Sequence, residues 1–467
     1  MPVMPGKRPR TENTGQPQET IKVTITGLDR DGVGTAPVDN RIALVQGAFP
    51  TETVIARVEH RGRTHIYTQL QRVLRQSQER TAATACTLEQ KCLGCPLINL
   101  KYAAQLNYKQ QRVATAMEQQ LPGIPLTVNP VLACPEPLAY RTSAKLVFSR
   151  HRGKVSLGLY RRGSHEVVAC PDCPVHHPLI NRIAAIVRAD VERQGVSIYN
   201  PRHNRGLLRY LLIRVSPDSG RALVTFVGRD RDYQELPKLA KKLTKKIPEV
   251  IGVHLNINSS TGNVILGNDT IKLLGHPDLI EQVGDIRLHI APESFFQINT
   301  RQAARMYELI CDRARLERRD AALDLFCGIG GIALSLARHA GQVQGIEVVP
   351  EAVRNANANA DLNKLSNCRF TAGDATEQLQ RIAAATPAGH YALITLNPPR
   401  KGCGEVLLQQ LLTLRPAKII YVSCDPDSLA LDLRQLLTGG YVLNELQPVD
   451  MFPQTAHIET VAVLRTP

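Results

Sequence analysis

No run of about 18 apolar residues occurs anywhere in this 467-residue chain, which excludes an ordinary membrane-spanning helix at the level of sequence. Met1 to Gln18 are polar and Pro-rich and lack the apolar centre of a secretory signal, so a cytoplasmic protein is expected. Without features of secretion, the 11 cysteines do not read as a disulfide framework but as metal, cofactor or catalytic thiols. There is no internal repeat and no GxGxxG turn, and no phosphate-binding lysine follows the Gly-rich stretch that is present, which argues against dinucleotide binding. A monomer is expected.

The charge is lopsided. Lys and Arg number 57 against 42 Asp and Glu, a net +15, and this balance favours a polyanionic partner such as nucleic acid. The length suits two or three domains. Residues 1–18 read as a disordered tail, dominated by Pro, Gly, Gln and Thr. Residues 19–78 carry short alternating stretches, IKVTITGL, RIALVQGAF, TVIARVEH and HIYTQLQRVL, separated by Gly, Pro, Asp and Asn. That pattern predicts a small all-β barrel, a type that often binds oligonucleotides. Residues 79–290 read as an α+β middle domain, with a helical segment at 97–126 expected to pack on the C-terminal domain. Its lysine-dense helix, LPKLAKKLTKKIPEV, reads as a solvated face. In 291–467, apolar strands alternate with helices through ALDLFCGIGG, VQGIEV, CRFTAGD, YALITLNPP and KIIYVSCDP. Repeated βαβ spacing predicts a parallel doubly wound sheet that binds its ligand at the carboxyl ends of the strands.

In LDLFCGIGG the strand Leu323 to Phe326 runs into a turn with Gly328, Gly330 and Gly331, which lets backbone approach a ligand closely. Taken alone, the turn suits NAD, a nucleotide or S-adenosylmethionine. Glu347 ends VQGIEV, where a carboxylate can accept two hydrogen bonds from a ribose diol. Asp374 in AGDAT can meet an adenine amino group, and Asn397 in LNPPR stands where a transferable methyl would lie. Polar residues at successive strand ends resemble the class I methyltransferase fold and its S-adenosylmethionine site. NPP alone is ambiguous, because amino-group methyltransferases use a similar tetrapeptide ending in an aromatic; here Arg400 follows. Cys424 in YVSCDP follows an apolar strand, which sets its thiol at the cofactor face; a buried structural cysteine is the plainer alternative.

With FFQIN, NPPRKG and MFPQTAHIET added, the chain resembles the TRAM-domain family of RNA uracil-5-methyltransferases, in particular its iron–sulfur branch acting on large-subunit ribosomal RNA. The resemblance covers nearly the whole chain. It implies an α/β and β protein: an N-terminal OB-like TRAM β-barrel, an α+β middle domain with an iron–sulfur cluster, and a C-terminal class I, Rossmann-like methyltransferase domain. It implies that Cys424 is the nucleophile and Glu459 the base, and that Gln297, Phe326, Glu347 and Asp374 contact the cofactor. The chemistry accounts for these residue types, since carbon 5 of uracil is too weak a nucleophile until a thiolate adds to carbon 6, and the carbon 5 proton must then be removed. His457 reads as a positioning residue and Cys327 as a packing residue. One position departs from the pattern: Asn397 stands where the family usually has aspartate.

Cys86, Cys92 and Cys95, spaced C-x5-C-x2-C, need one remote thiolate, and spacing alone allows a 4Fe–4S cluster or structural zinc. Cys170 and Cys173 compete as the fourth ligand, and the resemblance favours Cys173 and iron–sulfur. Arg141, Lys145, Arg150, Arg152, Lys154, Arg161 and Arg162, interleaved with Phe148 and Tyr160, read with Arg202, Arg205, Arg209 and Arg214 as an RNA-contacting patch. A flipped uridine is implied. Ribosomal RNA is the favoured substrate; transfer RNA, an amino-group methyltransferase and a non-catalytic RNA-binding relative are the alternatives.

Overall fold

The computed structural model describes residues 19–151, 153–161, 164–231, 234–262, 264–294 and 296–467. The expected tail at 1–18 lies outside the described residues, as do Arg152 and Arg162. The chain divides after Arg80 into two compact units.

In the first unit, alternating apolar and polar residues build β1 (Thr20–Thr24), β2 (Gly27–Leu28), β3 (Gly34–Val38), β4 (Arg41–Val45), β5 (Thr53–Arg61) and β6 (His65–Arg75). They form one sheet in the order β1-β5-β6-β4-β3-β2, with β4 and β6 parallel and the other pairs antiparallel. Alternate residues, such as Ala43 with Val45 and Val54 with Ala56, fill the core, as a period of two requires. Glu52 is fully buried, yet it accepts hydrogen bonds from the Phe49 and Ser77 amides and from the Arg80 guanidinium, so its charge is paired.

The second unit opens with helices α1 (Glu89–Cys92) and α2 (Tyr102–Gln120). A seven-stranded sheet follows from β7 (Ser143–His151), β8 (Lys154–Tyr160), β9 (Val167–Ala169), β10 (Leu208–Ser216), β11 (Arg221–Gly228), β12 (Val250–Ile257) and β13 (Asp269–Gly275). Its order is β13-β12-β11-β10-β7-β8-β9, with β11 and β12 parallel. Helices α3 (Pro178–Arg193) and α4 (Leu236–Lys246) cover one face through Ile180, Ile183, Val187, Leu239 and Leu243. The lysines of α4 are not all idle on a solvated face: Lys242 and Lys246 approach the buried carboxylate of Asp190 at 3.4 and 3.0 Å.

A hairpin, β14 (Leu279–Val283) and β15 (Ile286–Ile290), leads to the last sheet. That sheet contains β16 (Ala321–Leu325), β17 (Gln342–Glu347), β18 (Cys368–Ala372), β19 (Leu393–Leu396), β20 (Lys418–Ser423), β21 (Val442–Val449) and β22 (Glu459–Arg465). The order β18-β17-β16-β19-β20-β22-β21 is parallel through β20, and β22 runs antiparallel to both of its neighbours. The strand order reverses between β16 and β19, so the crevice for a ligand lies at their carboxyl ends. Helices α5 (Thr300–Ala314), α6 (Gly331–Ala337) and α7 (Pro350–Leu362) cover one face; α8 (Ala375–Ala385), α9 (Glu405–Leu414) and α10 (Pro426–Thr438) cover the other. Helix α2 joins this second face, with Val113, Met117 and Leu121 in one core with Leu433 and Leu446. Among the described residues, no helix is long and apolar enough to cross a membrane.

Asp324, in the middle of the sheet, is fully buried; it accepts hydrogen bonds from Thr395 Oγ1 at 2.6 Å and the Ala333 amide at 3.1 Å. Burial outweighs these bonds and pushes its carboxyl up to about 7. A carboxyl raised on folding is held protonated, so its stabilising effect is complete at acid pH and is lost as pH rises towards 7. Asp324→Asn removes the charge, keeps an oxygen to accept from the Ala333 amide, and can donate its NH2 to Thr395 Oγ1 in place of accepting from it. The loss of unfolding free energy between pH 5 and pH 8 is expected to shrink by about 1–3 kcal/mol in this variant, leaving what other buried acids contribute; urea unfolding at the two pH values checks it.

Candidate active site

The ladder register aligns the carboxyl ends of the parallel strands. Leu325 of β16 pairs with Ile346 and Leu396, Glu347 with Ala372, and Leu396 with Tyr421. Phe326, Glu347, Ala372 and Asn397 therefore lie at one level at this edge, with Asp374 two residues beyond Ala372 and Cys424 just beyond the end of β20. Phe326 begins the Gly-rich turn with φ +62°, a strained value for a residue with a side chain. Gly330 has φ +91°, and a Cβ there would lie 2.8 Å from the Phe370 ring, so only glycine fits.

Glu347 is fixed at its strand end: its two carboxylate oxygens accept from the Gly328 amide at 3.1 Å and the Val349 amide at 2.9 Å. Each oxygen keeps a lone pair for a diol. Asp374 is the N-cap of α8, and one oxygen accepts from the amides of Thr376 and Glu377 at 2.9 and 3.2 Å, which leaves the other for a ligand. Gln297 and Asn397 are half-buried; Asn397 directly follows β19, and its backbone amide donates to Leu325 O at 3.3 Å. Cys327 is buried in the core below the turn, as the packing role expects.

Ser423 of β20 pairs with Thr460 of β22, so the next residues along the antiparallel ladder, Cys424 and Glu459, face each other. A tight turn directs Cys424: Ser423 Oγ donates to Asp425 O and accepts from the Asp425 amide, while the Asp425 carboxylate caps α10. Glu459 is buried, which pushes its carboxyl up to about 8 against the pull of the Arg400 guanidinium. The Cys424 thiol is raised by burial and by the charge of Glu459, and Arg400 beside it opposes both. The Arg400 guanidinium also lies 3.3 Å from His457 Nδ1, and desolvation together with Arg400 pushes His457 down to about 4, so its imidazole is neutral.

Sequence reasoning missed the part played by Arg400. Its only signal was its place directly after NPP. The loop that carries it is tied to α10 through Asp432, which accepts from the Cys403 amide at 2.8 Å and from Tyr421 Oη at 2.6 Å.

Cys86, Cys92 and Cys95 sit on and around α1, and Cys170 and Cys173 follow β9. Among the described residues, no group of three or more His, Cys, Asp or Glu side chains is arranged to hold a metal ion. The thiols are nevertheless neighbours. Cys92, Cys95 and Cys173 share the Arg141 charge, Cys86 and Cys173 each feel Cys92, and Cys170 hydrogen-bonds with Cys92 and so raises its own thiol while lowering that of Cys92.

The basic patch is not a single surface. Arg209 is buried, with its guanidinium donating to Asn258 O and Ser260 O at 2.6 Å each, and buried Arg214 donates to Ser294 O. A strand of unbroken burial, β10, needed these cations to satisfy loop carbonyls. Lys145, Arg150, Arg202 and Arg205 are exposed.

Comparison with known proteins follows this geometry. Residues 101–466 match the tRNA (uracil-5-)-methyltransferase family. The chain is 43% identical over 446 residues to an uncharacterized RNA methyltransferase of Geobacter sulfurreducens, covering 96% of this chain and 90% of that one. It is 34% identical to another from Halalkalibacterium halodurans, covering 96% and 97%. The crystal structure of Pyrococcus abyssi tRNA (uracil-54, C5)-methyltransferase in complex with S-adenosyl-L-homocysteine superposes with a TM-score of 0.78 at 23% identity, over 95% of this chain and 100% of that one, and shows the shared fold.

The opposed charges around Cys424 give a signed test. Arg400→Met is expected to move the pH midpoint for alkylation of Cys424 upward, and Glu459→Gln to move it downward, each by on the order of one pH unit. Peptide-resolved mass spectrometry after iodoacetamide pulses across a pH series reads both; shifts of the same sign would contradict the arrangement.

Proposed function

Because the chain belongs to the tRNA (uracil-5-)-methyltransferase family, we propose that it methylates carbon 5 of a uridine in RNA with S-adenosylmethionine as donor, through Cys424 and Glu459. The observation that carries this reading is the Cys424–Glu459 pair across β20 and β22, at the same sheet edge as the Gly-rich turn. An amino-group methyltransferase needs no thiol at this place.

The bound cofactor supplies an electrophilic methyl group. Phe326, Glu347, Asp374, Asn397 and Gln297 hold it, with Glu347 on the ribose. The Cys424 thiolate forms a bond to carbon 6 of the uracil, and the carbon 5–carbon 6 π electrons move onto the carbonyl at carbon 4 as an enolate. The enolate returns those electrons through carbon 5 to the methyl, whose bond to sulfur breaks in favour of the sulfur. Carbon 5 then carries both the methyl and a proton. Glu459 takes the proton, the double bond re-forms, and the carbon 6–sulfur bond breaks to restore the thiolate. Arg400 favours the thiolate and lies where it can meet the enolate charge. The target must leave its stack for both faces to be reached.

Large-subunit ribosomal RNA, 23S, is the favoured substrate and transfer RNA the alternative; a cytoplasmic monomer fits either. The first unit would serve as an OB-like TRAM module on the RNA. Cys86, Cys92, Cys95 and Cys173 have the donor chemistry of a 4Fe–4S site, with Arg141 as countercharge, and the methyl transfer requires no electron from it.

Cys424→Ala should abolish 5-methyluridine formation while S-adenosylmethionine still binds; retained turnover would favour the amino-group reading. Asn397→Asp should keep or improve turnover, and a collapse of cofactor binding would show that the pocket is misread. Both are read by a methyl-transfer assay with isothermal titration. Protein purified without oxygen should be brown and contain iron; colourless protein with zinc removes the iron–sulfur assignment.

A further inference from the structure

The segment 450–458 ends one residue before Glu459, and helix α2 grips it from 341 positions upstream. Lys109 and Asp450 are both fully buried; Lys109 Nζ donates to Asp450 Oδ1 at 2.5 Å and to Phe452 O at 3.0 Å. Tyr102 Oη donates to the other Asp450 oxygen at 2.9 Å. One turn along α2, Gln105 donates to Gln454 Oε1 and accepts from the Gln454 amide, both at 2.9 Å, and Arg112 donates to Ala456 O at 3.1 Å. Gln454 has φ +69°, a left-handed conformation that a residue with a side chain keeps only where its surroundings impose it.

A buried lysine–carboxylate pair adds little stability over apolar residues of similar volume, because desolvation cancels most of the attraction. What such a pair does supply is direction, since a charge and its hydrogen bonds are satisfied in one geometry only. Every polar contact described here is aimed at the short run of chain that delivers His457 and Glu459 to Cys424. We propose that Lys109 and Asp450 are positioning residues that set the 450–458 segment so that Glu459 meets the carbon 5 proton. The proposal rests on Glu459 being the base.

Lys109→Met/Asp450→Leu replaces the pair without stranding a charge, and Glu459→Gln is its reference. A 5-fluorouridine RNA has no removable proton at carbon 5, so its covalent adduct with Cys424 reports the steps before the base acts. The double variant should unfold at nearly the wild-type temperature and form the 5-fluoro adduct at nearly the wild-type rate. With ordinary RNA it should release product about 10- to 100-fold more slowly and accumulate adduct on denaturing gels. Wild-type turnover, or equal falls in adduct formation and turnover, overturns the proposal. If the double variant does not fold, Tyr102→Phe removes a single donor to Asp450 and should show the same split at smaller size; turnover and adduct formation that stay coupled in it overturn the proposal as well. Glu459→Gln turning over without accumulating adduct removes the base assignment and the proposal with it. Accumulation in Glu459→Gln but not in the double variant overturns positioning alone.

Discussion

Ser423 and Thr460 close the β20–β22 ladder, and the opposed directions of the two strands bring Cys424 and Glu459, the next residue on each, within reach of one another's charge. The pairing is between a parallel strand and a reversed one, so β22 brings its first residue, Glu459, to the edge where the parallel strands bring their last. The burial of β22 along nearly its whole length makes the register rigid, because a slip by one residue would exchange Val461 and Val463, packed in one core, with Ala462 and Leu464, packed in the other. Stability of the sheet and alignment of the proposed catalytic pair are thus one constraint.

The same constraint explains why the chain before the middle sheet returns to the C-terminal one. The segment between β21 and β22 is irregular backbone under heavy burial, and irregular backbone cannot satisfy its own polar groups. Helix α2 supplies them, with Lys109, Gln105 and Arg112 serving carbonyls and side chains of that segment while Val113 and Met117 fill the core against α10. Tyr140 adds a donor to Pro453 O at 3.0 Å, and Leu97, two residues after Cys95, donates its amide to Gln454 O at 3.1 Å. The cysteine-bearing segment and the segment before Glu459 are therefore linked by hydrogen bonds, whatever the thiols hold.

The parallel sheet was legible because each of its strands is a short apolar run closed by a turn signal, and because polar residues at strand ends mark the face where a ligand sits. Glu347, Asn397 and Cys424 were expected at strand ends on this ground, and they lie there; their roles are those proposed. That the segment containing α2 packs on the C-terminal domain was expected; the polar side of that docking was not legible, because the partners of Lys109 and Gln105 lie hundreds of residues away and leave no local trace. Arg209 and Arg214 were misread for a related reason. An arginine in a strand carries the same letter whether it points at phosphate or at a buried carbonyl, and only the loops folded over β10 decide which. Arg400 was overlooked because a single cation in a loop has no period to stand out against.

The charges in the pocket also set an order of events. Glu459 is buried and Cys424 half-buried; burial raises both groups, the Glu459 charge raises Cys424 further, and Arg400 pulls both down. With Glu459 near 8, the carboxyl is mostly protonated at neutral pH, so no Glu459 charge opposes the thiolate when it forms beside Arg400. In the proposed cycle the sulfur becomes a neutral thioether when it bonds to carbon 6. Arg400, no longer beside a thiolate, is then free to favour the Glu459 carboxylate at the stage when a base is needed. When the thiolate is expelled, Glu459 has just been neutralised by the proton it took, so the two anions never face each other. A pair with unshifted ionisation would start with Glu459 charged, which would hold the thiol protonated and delay the first attack.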